Sequence, residues 1–169
     1  MKMIFKPQTE WIPPTDFPDL SKYDEIAVDL ETKDPNLNER MGSGSVVGVG
    51  DVVGISLATH DWCAYYPIAH EGGGNMDRKM VLKWLQDQMN TDSTKIFHNA
   101  MYDICWLRAI GINVKGQIVD TMIAASLVDE NRFRYDLNGL SRDYIGEGKD
   151  ESVLQETAKS WGVDPKAEM

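Results

Sequence analysis

Asp29, Glu31 and Asp103 are the residues whose types and spacing could do chemistry. Asp29-Leu30-Glu31 closes the apolar run Glu25-Ile26-Ala27-Val28, and Asp103 ends the stretch Asn99-Ala100-Met101-Tyr102-Asp103. In a strand alternate side chains share a face, so Asp29 and Glu31 point one way while Leu30 points into the core. On a helix positions four apart share a face, which stacks Asn99 over Asp103. Carboxylates brought together in this way repel one another unless a cation intervenes. Their hard oxygens suit Mg²⁺ or Mn²⁺, and a pair of such ions is machinery for cutting a phosphodiester. The alternative is plainer: Asp29 and Glu31 end a strand in solvent, and Asp103 is a solvated helix residue. With 27 acidic residues among 169, neither spacing decides the matter without the elements beneath it.

Those elements can be traced along the chain. Residues 1–24 hold Pro7, Pro13, Pro14 and Pro18 and predict an extended lead-in. Glu25–Leu30 is a buried strand. Asn36–Gly50, rich in glycine, predicts a flexible loop. Asp51–Thr59 and Trp62–Ile68 form a hairpin across the turn His60-Asp61. A helix follows over Asp77–Met89, with Val81, Leu82, Leu85 and Met89 on one stripe. Lys95–His98 is a short strand, and Asn99 stands where an N-cap belongs for a helix running to Ile110 and stopping at Gly111. Gln117–Val119 predicts a strand edge, with Asp120 capping a helix to Leu127. Helices over Leu137–Ile145 and Glu151–Trp161 stop at Gly146 and Gly162. The order predicts an α/β fold: an RNase H-like mixed sheet, its first three strands antiparallel and the later ones parallel, flanked by helices.

At these residues the chain also resembles a known family. Val28-Asp29-Leu30-Glu31-Thr32 is similar to the first motif of DEDD-type 3′→5′ exonucleases, and Phe97-His98-Asn99-Ala100-Met101-Tyr102-Asp103 to the second. The nearest likeness is to the proofreading domain of family A, polymerase I-like DNA polymerases, in particular those of bacteriophages. Gly54–Ala58, Val119–Met122 and Tyr135–Ser141 continue the agreement, so it spans roughly residues 23–162. The resemblance implies two-metal-ion hydrolysis of the 3′-terminal nucleotide of single-stranded DNA. Asp29, Glu31 and Asp103 would be catalytic and hold two Mg²⁺ or Mn²⁺ ions. Thr32 and Asn99 would contact the terminal nucleotide, and Leu30 or Met101 would wedge against its base. The family's third motif, Tyr or His followed four positions later by Asp, has no match in this sequence. Residues 25–169 are therefore expected to be an exonuclease-like domain that stops before that motif. Its partners would be the 3′ end of single-stranded DNA and a polymerase domain in the same or a companion chain. Two other functions stay open: a non-catalytic docking module of a replication protein, and an RNA-trimming nuclease of the same superfamily.

Composition narrows the setting. The hydrophobic and charged fractions, 42% and 26%, are those of a soluble globular protein, and no apolar run is long enough to span a membrane. Cys63 and Cys105 are too few for a disulfide framework and predict reduced core residues in a cytoplasmic protein, in the host cytoplasm if phage-encoded. A net charge of −10 denies the chain the basic face on which free-standing nucleic-acid binders rely. The charge leaves two readings: no nucleic-acid protein at all, or one that holds polynucleotide through metal ions and a tethered partner. Gly42–Gly48 misses the dinucleotide fingerprint spacing, and His60, His70 and His98 lack metal-ligand spacing. Trp84 and Trp106 are expected to pack in the core.

Overall fold

The computed structural model describes residues 11–37, 43–148, 150 and 152–162. They fall into two compact units, one ending at Ala124 and one beginning at Ala125. In the first, strands β1 (Glu25–Lys33), β2 (Asp51–Ala58), β3 (Cys63–Pro67), β4 (Thr94–Phe97) and β5 (Ile118–Asp120) form one sheet in the order β3-β2-β1-β4-β5. β1, β2 and β3 pair antiparallel, whereas β4 joins β1, and β5 joins β4, in parallel. This is the mixed RNase H-like sheet that the order of elements predicted.

β1 shows why the site residues part company. Ile26, Val28 and Leu30 are buried, while Asp29 and Glu31 are exposed on the other face. The buried set lies beside Ile55, Leu57 and Tyr66 of the neighbouring strands, all under 3% exposed. Helix α2 (Arg78–Met89) adds Val81, Trp84, Leu85 and Met89 to the same core, with the Trp84 and Tyr66 rings 4.7 Å apart. Asp77 caps α2 by accepting the Met80 N–H. The lead-in is irregular over residues 11–20 but pinned. The Trp84 indole donates to the Pro18 carbonyl and the Leu20 N–H to Gln88 Oε1, each at 2.8 Å. The part of the expected lead-in before residue 11 lies outside the described residues.

Three local differences from expectation have physical causes. β1 runs on to Lys33 because its pairing with β2 resumes beyond a bulge between Glu31 and Thr32. The segment before β2 contains a short helix, α1 (Gly44–Val47), tied down where Asp34 Oδ1 accepts the Gly44 and Asn36 N–H groups at 2.9 and 3.0 Å. Cys63, expected in the core, is exposed, because it opens the edge strand β3. Lys95, by contrast, is wholly buried in β4. Its ammonium donates to the carbonyls of Thr91, Ser93 and Lys115 at 2.6, 2.8 and 3.1 Å, and to the Thr91 hydroxyl at 3.1 Å.

Two further helices complete the first unit's framework: α3 (Ala100–Ala109) and the start of α4 (Thr121–Val128). In the second unit α5 (Leu137–Ile145) begins where Asp136 accepts the Gly139 N–H at 2.9 Å and ends at Gly146, whose left-handed backbone favours glycine. α6 (Ser152–Trp161) follows and stops at Gly162.

Candidate active site

The exit of β1 and the start of α3 build the site. Register across the antiparallel strands sets Asp29 opposite Ser56, and Glu31 opposite Gly54. Two acidic side chains thus stand on a face floored by small residues. Leu30 is 7% exposed and packs in the core on the opposite face. The expected wedge of Leu30 against a base is thereby corrected, since the alternation that exposes Asp29 and Glu31 turns Leu30 inward. Met101, 74% exposed, keeps that possibility.

Asn99 departs from its expected role. Its backbone is left-handed, φ 69° and ψ 55°, and its side chain makes no capping bond. Asn tolerates this conformation better than most residues. The capping is done from β5: the Asp120 carboxylate accepts the Asn99 and Ala100 N–H groups at 3.0 and 2.8 Å, and the Met122 N–H at 2.9 Å. Burial alone would raise the Asp120 pKa, but these backbone amides outweigh it and hold the group below its ordinary value. One carboxylate therefore starts both α3 and α4. Because Asn99 lies outside the helix, it does not stack over Asp103 as ideal helical spacing suggested. Its amide is exposed at the mouth of the turn.

Asp103 is not a solvated helix residue: it is 3% exposed. Its pKa is pushed up to about 7, first by burial and then by the charge of Asp29, with Asp120 adding to the rise. The backbone amides of Leu30 and Asp103 hydrogen-bond to it and offset part of that cost. Asp29 and Asp103 are therefore near enough to oppose each other's ionisation. Glu31, on the same face as Asp29, acts on the Tyr65 phenol, which burial and then the Glu31 charge push up to about 12. Among the described residues, no three His, Cys, Asp or Glu side chains are gathered closely enough to hold a metal ion by themselves. The donor chemistry nevertheless fits a hard divalent cation. A divalent cation relieves the mutual repulsion of a buried carboxylate and a second one beside it.

Thr32 completes the cluster. Its hydroxyl lies 2.7 Å from that of Tyr102, which donates to Asp34 Oδ2 at 3.2 Å. With the single phenolic proton so used, Tyr102 accepts from Thr32. The same Asp34 that anchors α1 thus links that segment to α3 and the strand end. Asp34, Tyr102 and Asp120 were not singled out from the sequence as parts of the site. The readable signal was the parallel pairing of β5 with β4, which brings Asp120 to the turn before α3.

Comparison with known proteins identifies the family and the fold. A family model described as 3′-5′ exonuclease matches residues 17–169. The chain belongs to this 3′-5′ exonuclease family. A DNA-directed DNA polymerase of Pseudomonas phage M6 is 32% identical over 168 residues, which is 95% of this chain and 25% of that protein. The chain spans a quarter or less of the length of the curated relatives it matches. Among solved structures, the Nibbler EXO domain of Aedes aegypti superposes with a TM-score of 0.58 at 17% identity, covering 89% of this chain and 86% of that one. Brucella melitensis NrnC with bound Mg²⁺ gives 0.54 at 18% identity, over 94% of this chain and 65% of that one. At such identities these two show the shared exonuclease fold. No helix among the described residues is long and apolar enough to cross a membrane.

Proposed function

We propose that this chain is the 3′→5′ exonuclease module of a longer DNA polymerase, removing the 3′-terminal nucleotide of single-stranded DNA in the cytoplasm, that of the host if the chain is phage-encoded. The observation that carries the reading is Asp103, buried against the charge of Asp29 at a strand end, in a chain of the exonuclease family. Two Mg²⁺ or Mn²⁺ ions held here would lower the pKa of a bound water and stabilise the leaving 3′-oxygen. Asp29, which shares a face with Glu31 and opposes Asp103, is the residue suited to serve both ions. Glu31 and Asp103 would each complete one shell. A fourth carboxylate would come from a Tyr-x-x-x-Asp motif, which these 169 residues do not contain.

The chain's other residues bind and orient. The exposed Asn99 amide and the Thr32 hydroxyl, fixed by Tyr102 and Asp34, would hold the terminal nucleotide, with Met101 against its base. A 3′ end must leave its duplex to reach these groups, at a cost of a few kcal/mol that a mismatch has already met in part. Mispaired ends are thus favoured. With a net charge of −10, duplex binding falls to the polymerase region, in the same or a companion chain.

The experiment is Mg²⁺-dependent release of mononucleotides from a 3′-labelled strand by the longest polypeptide the gene encodes. Release that Asp29→Ala abolishes supports the proposal; an inert polypeptide refutes it. The second reading, a non-catalytic docking module, is favoured by one observation: no three ligand side chains gather among the described residues. It predicts that inert outcome. RNA in place of DNA in the same assay tests for RNA trimming.

A further inference from the structure

The face that carries Asp29 and Glu31 does not end at β1. Register aligns Asp29, Ser56 and Tyr65 in one row across β1, β2 and β3, and Glu31, Gly54 and Pro67 in the next. Residues directly opposite each other project from the same face of a sheet. Tyr65 therefore stands on the carboxylates' face. Its ring leans over Gly54: a Cβ at position 54 would lie 1.8 Å from the phenolic oxygen and 2.3 Å from the ring carbon bearing it. That lean brings the phenol within about one strand spacing, roughly 5 Å, of β1.

The ring has two ring partners, His70 and Trp11. Its hydroxyl hydrogen-bonds to His70 Nε2, and the two rings meet edge to face, centroids 5.8 Å apart. His70 is clamped in turn by Asn75, whose side chain accepts the His70 N–H at 2.7 Å and donates to its carbonyl at 2.8 Å. Trp11, 49% exposed, also meets Tyr65, tilted at 51° with centroids 5.8 Å apart. An aromatic pair, braced by His70, thus faces two carboxylates across a floor of Ser56 and Gly54. None of Trp11, Tyr65, His70 or Gly54 has a part in the chemistry proposed above.

We infer that Tyr65 and Trp11 form a stacking platform for the base of the nucleotide preceding the terminal one. The inference rests on the nuclease reading and extends it to a second substrate subsite. The scissile phosphate would sit at Asp29 and Glu31. The terminal nucleotide would lie toward Thr32, Asn99 and Met101, so the strand's next nucleotide leaves on the opposite side, toward β2 and β3. Base stacking needs no positive charge, and it suits a chain of net charge −10 that cannot draw its affinity from phosphate contacts.

Binding of 5′-fluorescein-labelled dT5 to the chain, by fluorescence anisotropy in Ca²⁺, with thymidine 5′-monophosphate as competitor, tests this. Tyr65→Ala and Trp11→Ala should each weaken dT5 about 5- to 150-fold, with a far smaller change for the mononucleotide. Gly54→Ala, by lifting the ring, should reproduce Tyr65→Ala, whereas Tyr65→Phe should retain most of the affinity. Wild-type binding that survives Trp11→Ala and Tyr65→Ala within twofold overturns the platform and leaves the nuclease reading standing. Wild-type protein that binds dT5 no more tightly than the mononucleotide also overturns the platform, and the release assay on the longer polypeptide judges the nuclease reading separately. Because Trp11 is half exposed and outside every regular element, Trp11→Ala keeps its fold, and its result decides even if Tyr65→Ala does not fold.

Discussion

Replacing Asp103 by Asn should stabilise the metal-free protein at neutral and higher pH, against the usual rule that core substitutions destabilise. Asp103 is buried, and its pKa is raised from the ordinary 3.8 to about 7. Between those values the native state holds a proton that the unfolded chain has released, so stability falls as pH rises through that window and stays low above it. At about 1.4 kcal/mol per pH unit the ceiling on this loss is about 4 kcal/mol. Asn cannot ionise, and its side-chain oxygen can still accept the Leu30 amide. Urea unfolding in EDTA from pH 5 to 8 should show wild-type stability falling relative to Asp103→Asn, the variant overtaking it toward pH 8. Saturating Mn²⁺ should reverse the order, because a cation stabilises the charged carboxylate and not the amide. Parallel stability curves for the two proteins across this range in EDTA would refute the reasoning.

Three other perturbations follow from named contacts. Lys95→Met should destabilise by about 2–4 kcal/mol in urea unfolding, because three carbonyls lose the ammonium that they share. Asp120→Ala should cost about 1–2 kcal/mol by the same measurement, while Asp120→Asn recovers only part of it, since one amide oxygen can still accept the Asn99 and Met122 N–H groups but the amide nitrogen cannot accept from Ala100. Removing the Asp120 charge should also lower the Asp103 pKa, which NMR titration of the carboxyl carbon would read. Tyr102→Phe should raise KM for a 3′-terminated oligonucleotide several-fold with little change in kcat, as the Thr32 hydroxyl loses its acceptor.

Much of this site was legible in the sequence because strand alternation is a hard rule. Once Glu25–Leu30 is a buried strand, Asp29 and Glu31 must share a face, and Leu30 must turn away from it. The same rule argues against Leu30 as a wedge. Helical spacing was a weaker guide at Asn99, where the left-handed turn removes the residue from the helix whose period was applied to it. The burial of Asp103 could not be read from its own segment, because it depends on β1 passing close enough for the Leu30 amide to reach the carboxylate. Asp120 looked local, as a cap for α4. Its second task appears only when β5 pairs with β4. Tyr65 was hidden similarly: its place opposite Ser56 and Asp29 depends on the hairpin register and on a glycine that lets a ring lie across the backbone.

The proposal stands on Asp29, Glu31 and Asp103 holding divalent cations between them, with Asp29 serving both. Its most direct test is a Mn²⁺ titration followed by paramagnetic broadening of backbone amide signals. Saturable broadening centred on residues 28–32 and 100–104, lost in Asp29→Ala, is the expected result. Broadening that is absent, or centred on acidic residues elsewhere in the chain, would contradict it.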